Sequence, residues 1–70
     1  MSLKARIEAV LFITAQALEV KDIAEILKEE ETVVEEALLE LIMDYSAREG
    51  ALEIDDENGY ILQVKEEYMD

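Results

Sequence analysis

The chain has 70 residues, one small domain, and a chain this short buries only about 60% of the surface its unfolded form exposes. Its composition is polarised, 51% hydrophobic and 36% charged, and 19 acidic against 6 basic residues leave a net charge of −13. That balance weighs against nonspecific binding to DNA, RNA or an anionic membrane. The absence of Cys and His removes disulfides, zinc sites of thiolate and imidazole, and nucleophile–histidine pairs.

Leu3–Thr14 reads as the first helix, with Leu3, Ile7, Val10, Leu11 and Thr14 on one stripe. Ala5, Ala9 and Phe12 fall almost opposite, and Ile13 sits at the edge of that second stripe. A surface helix needs one apolar face, and this one has two. Glu8 interrupts the apolar N-terminus, which argues against a signal peptide, and no apolar run approaches the roughly 18 residues of a membrane span. Leu18 and Val20 suit a brief extended piece. A second helix over Lys21–Lys28 then buries Ile23, Ala24 and Leu27, and Glu29-Glu30-Glu31 makes the connecting turn.

Thr32 followed by Glu35 is a capping box that predicts the third helix over Thr32–Glu49. Its core stripe is Val34, Ala37, Leu38, Leu41 and Tyr45, with Ile42 beside it. Leu39 and Met43 project to the far side next to Glu36 and Glu40. Gly50 occupies the place of a left-handed helix C-cap. The hairpin that follows has two possible registers. A two-residue loop at Asn58-Gly59 would oppose Leu52 with Lys65 and Ile54 with Gln63. A three-residue loop, Glu57-Asn58-Gly59 with Gly59 left-handed, opposes Leu52 with Val64, Ile54 with Leu62 and Asp56 with Tyr60. Directly opposed residues share a face, so the second register gives one apolar surface and leaves Ile61 outside with Glu53, Asp55 and Gln63.

Three helices and a hairpin in this order predict a winged helix-turn-helix, mainly α with a small β-hairpin (α+β). In DNA-reading members the third helix enters the major groove, where phosphates demand Lys and Arg. Here it carries five acidic side chains and one basic, Arg48. The six cations Lys4, Arg6, Lys21, Lys28, Arg48 and Lys65 are dispersed, and Phe12, Tyr45, Tyr60 and Tyr68 do not line up as a stacking platform. Only Lys65, on the second strand, stands where a wing touches a backbone. The acidic runs Glu29–Glu31 and Asp55–Glu57 lack calcium-loop spacing and read as solvated turns. A short-looped domain offers carboxylates no pocket for acid–base chemistry, so enzymatic activity, cofactors and metals are not expected.

Apolar residues beyond the needs of so small a core point to protein interfaces. Ala5, Ala9, Phe12 and Ile13 form one candidate, an aromatic anchor flanked by small residues; burial of both faces within the monomer, or simple exposure of Phe12, is the bland alternative. Leu39 and Met43 form a second, against scattered surface hydrophobes. The wing turn is Asn58, Gly59 and Tyr60.

The run Leu3-Lys4-Ala5-Arg6-Ile7-Glu8-Ala9-Val10-Leu11-Phe12 resembles the start of the segregation and condensation protein B family. So do Leu18 with the Ile23–Leu27 helix, and Glu35-Glu36-Ala37-Leu38-Leu39-Glu40-Leu41. Leu52-Glu53-Ile54 with Asn58-Gly59-Tyr60-Ile61-Leu62-Gln63-Val64 is similar to that family's wing. The resemblance implies one winged helix over 1–70, the first half of a protein with two. It also implies a non-enzymatic, cytoplasmic, nucleoid-associated accessory subunit of an SMC–kleisin complex in chromosome condensation and segregation. Such a subunit forms a homodimer and clasps the kleisin, segregation and condensation protein A, with no direct nucleic acid or membrane contact. The first helix (Ala5, Ala9, Phe12) and Gly59 with Tyr60 match the family's positions. A transcription-associated winged helix touching DNA through its wing is the alternative, and a regulatory fragment of an enzyme a third.

Overall fold

A computed structural model of the chain describes residues 1–69. α1 spans Leu3–Thr14, as its periodicity predicts, because Ser2 caps it: the hydroxyl accepts the Ala5 backbone N–H at 3.2 Å. At the other end Ala15 takes a left-handed conformation and donates its N–H to the Leu11 carbonyl at 3.1 Å. α2 spans Val20–Leu27 and starts at Val20, so of the predicted extended piece only Leu18 is extended. Asp22 fixes that start by accepting the Glu19 backbone N–H on its carboxylate at 3.1 Å.

The expected capping box of the third helix does not form. α3 spans Glu31–Ala47, and the Glu30 carbonyl accepts the first helical bond from Val34 at 3.0 Å. Thr32 is therefore already inside the first turn. The turn before it is set by tertiary contacts: Lys28 ends α2 in a left-handed conformation, and Arg6 of α1 reaches Glu29 at 3.1 Å and the Leu27 carbonyl at 3.0 Å. The far end is shorter than expected. Arg48 turns to extended backbone and lays its guanidinium over the Tyr45 ring, 4.4 Å from the centroid, so Gly50 is not a left-handed cap.

β1 (Leu52–Asp55) and β2 (Ile61–Val64) pair antiparallel in the three-residue-loop register: Leu52 opposes Val64 and Ile54 opposes Leu62. Gly59 closes the loop at φ +85°, and beside it Leu18 and Tyr60 exchange backbone hydrogen bonds of 2.9 and 2.8 Å. Leu18 thus ties the wing to the segment between α1 and α2. A Cβ at residue 59 would stand 3.1 Å from the Leu18 carbonyl oxygen, inside that bridge. Gly59→Ala is expected to cost about 1–2 kcal/mol, read as a lower urea midpoint. An unchanged midpoint would mean the loop relaxes without strain.

The chain is a winged helix. One core joins Ile7 and Leu11 of α1, Ile23 and Ala24 of α2, Val34, Ala37, Leu38, Leu41 and Tyr45 of α3, and Ile54 of the wing. Of the wing's apolar face, Ile54 is buried and Leu62 half-buried, while Leu52 and Val64 remain exposed.

Candidate protein-interaction surface

α1 packs on α3 and the wing through one stripe and presents the other outward. Phe12 is 73% exposed and Ile13 78% exposed, next to Leu11, which is fully buried. Ala9 is exposed and Ala5 half-buried. Ala5, Ala9 and Phe12 border a groove of about 290 Å³ whose other walls are Glu8, Tyr45, Leu52 and Leu62. The small side chains on α1 leave the groove open, and Phe12 stands at its edge. Ile13 projects about 100° further round the helix and does not line it.

Sequence reasoning missed Tyr45, Leu52 and Leu62 as parts of this surface, assigning them all to the core or to the core-facing side of the wing. One signal was available. Two apolar cross-strand pairs on a short hairpin exceed what the edge of a helix can cover, so one pair had to remain outside. Leu39 and Met43 lie on the outer side of α3, 53% and 68% exposed, and are not among the groove's lining residues. The wing turn is elsewhere again. Asn58 is exposed, and Gly59 and Tyr60 border a notch with Glu19, Val20, Lys21, Glu31 and Asp56.

The electrostatics around α1 are internal. Lys4 donates to Asp44 at 2.8 Å and lies 3.8 Å from Glu40. Arg6 pairs with Glu29, and Arg48 covers Tyr45. Half of the six cations are thus engaged within the chain, which leaves little positive surface for phosphates. Tyr45 donates its hydroxyl hydrogen to Glu8 at the groove wall. Burial pushes the Tyr45 phenol above its usual value, and the bond to Glu8 adds to this. Burial raises Tyr60 likewise, followed by the carboxylates of Glu35, Asp56 and Glu19. The hydrogen bond to Asp44 raises Lys4.

All three groups hold their protons more tightly in the folded chain. Their contribution to stability is therefore complete below about pH 10 and is lost as pH rises through the folded values. Urea midpoints are expected to stay level from about pH 7 to 9 and fall beyond about pH 10. Tyr45→Phe should flatten part of that fall. An identical alkaline profile in the variant would remove Tyr45 from the explanation.

Among the described residues no three His, Cys, Asp or Glu side chains gather as a metal site, and no helix is long and apolar enough to cross a membrane. The surface can hold apolar side chains of another polypeptide.

No curated protein matches the sequence. Among solved structures, a crystal structure of a dimer of ScpB N-terminal domain complexed with ScpA peptide is similar, with a TM-score of 0.83 and 29% identity. The match covers 91% of this chain and 82% of that one. Residues 5–70 match the family described as segregation and condensation complex subunit ScpB. With the wing register, the two-sided α1 and this match over nearly its whole length, the chain belongs to the ScpB family.

Proposed function

We propose that this chain is a non-enzymatic accessory module of an SMC–kleisin complex, acting in chromosome condensation and segregation by self-association and by gripping the kleisin. The observation that carries this reading is the 73% exposed Phe12 beside a groove walled by Ala5, Ala9, Leu52 and Leu62. In a two-fold dimer the same patch meets itself, so each Phe12 enters the partner's groove and the small α1 residues admit the approach. Aromatic anchors in desolvated pockets dominate the energetics of such interfaces. The structural relative, at 29% identity, is a dimer holding an ScpA peptide, which supports both halves of the proposal.

Sedimentation equilibrium tests the self-association. A dimer is expected at micromolar concentration, and it should tighten as salt rises, because two chains of charge −13 repel and salt screens them. A species that stays monomeric at high micromolar concentration in high salt would overturn it. Co-purification with segregation and condensation protein A from the same cell tests the second half. A DNA-binding wing predicts a low-salt gel shift lost in Lys65→Glu; no shift is expected, given the acidic α3.

A further inference from the structure

The outer side of α3 carries a second apolar feature, which the α1–wing groove does not reach. Leu39 and Met43 stand one helical turn apart, nearly opposite the buried Leu41 and Tyr45. Glu35, Glu36 and Glu40 are exposed around them, and no residue of the helix is basic. Of the nearby cations, Arg48 lies over Tyr45, and Lys4 spends its short bond on Asp44 while bordering the same depression as Glu36 and Glu40. Glu40, 3.8 Å from Lys4, keeps 66% of its side chain exposed and retains acceptor capacity.

We propose that this face docks a basic amphipathic helix of a partner chain, whose apolar stripe covers Leu39 and Met43 and whose flanking Lys or Arg meet Glu36 and Glu40. Charge selects the occupant. A second copy of this chain would set one net-acidic strip against another, and like charges in juxtaposition oppose association. A neutral or acidic helix would strip water from the carboxylates and leave them unpaired. A basic helix covers the apolar pair and satisfies the carboxylates together. Recognition of an amphipathic helix reads apolar anchors at i, i+3, i+4 and i+7, and Met adapts to their shape. The inference shares with the proposed function only the premise that the chain is an interaction module. It assigns the partner's helix to α3 and leaves the α1 groove to the dimer.

The probe is a fluorescent 18-residue peptide with Leu at those spacings and Lys on both flanks, titrated by anisotropy against the whole chain. Two control peptides replace every Leu by Ser, or every Lys by Glu. Leu39→Ser with Met43→Ser, and separately Glu36→Gln with Glu40→Gln, are each expected to weaken the probe at least about tenfold, the loss of one buried aliphatic contact or one charge-assisted pair. Both control peptides should bind at least as weakly. Equal binding of the Ser-substituted peptide, or unchanged affinity in the Leu39→Ser, Met43→Ser chain, would reduce the effect to general charge attraction and overturn the proposal. Sedimentation of the same variants separates the two readings. Loss of the dimer in Leu39→Ser, Met43→Ser would make this face the dimer seat and sink the docking site. Loss of the dimer in Phe12→Asp, with the probe still bound, supports both.

Discussion

Phe12→Asp is expected to leave α1 folded and to weaken self-association at least about a hundredfold. Burying one Phe side chain contributes about 1.5–3 kcal/mol, and a two-fold interface loses it twice. The carboxylate that replaces each ring must also lose water inside an apolar groove, which adds to the loss. Fold stability should move by no more than about 0.5 kcal/mol, since the ring is 73% exposed in the single chain. Sedimentation equilibrium with urea unfolding at low protein concentration separates the two quantities. A variant that dimerises as wild type does would move the interface off this groove.

Leu11→Ala, one residue away, should do the reverse. Leu11 is fully buried among the core side chains, and truncating such a leucine costs about 3 kcal/mol through lost transfer energy and the cavity left behind. A 70-residue domain has a total stability of roughly 3–10 kcal/mol, so the variant is expected to lose a third or more of it. The urea midpoint and the far-UV CD melt report this directly. The proposed dimerisation would add concentration-dependent stability to the wild type, so the comparison is cleanest in a Phe12→Asp background. A loss below about 1 kcal/mol would mean the core collapses around the gap. Adjacent residues thus stand in different surroundings, Leu11 in the core and Phe12 on the exposed face.

What could be read without coordinates was whatever repeats with a period. The 3.6-residue pattern put Ile7 and Leu11 on one stripe of α1 and Phe12 on the opposite one, and the structure buries the first two and exposes Phe12. The two-residue pattern chose between hairpin registers, because only one of them placed Leu52, Ile54, Leu62 and Val64 on a single face. The left-handed Gly59 followed from the loop length that register required. Local capping signals were less dependable. Thr32-x-x-Glu35 has the form of a capping box, yet α3 starts one residue earlier, where the turn held by Arg6, Glu29 and the Leu27 carbonyl delivers the chain. A cap contributes about 1 kcal/mol, and packing the core residues Val34, Ala37, Leu38, Leu41 and Tyr45 of α3 outweighs it.

Which apolar side chains share the candidate surface was decided only in three dimensions. Alternation places Leu52 and Leu62 on the same face as Ile54, but not how far the helices extend along that face. Folding brings Leu52, Leu62 and Tyr45 against Ala5, Ala9 and Phe12, residues far away in the chain, and makes one groove of them. The outcome follows from range. Periodicity is a local property that tells each side chain which way to point, whereas a shared surface depends on where separate elements stop, and that is set by the packing of all of them together.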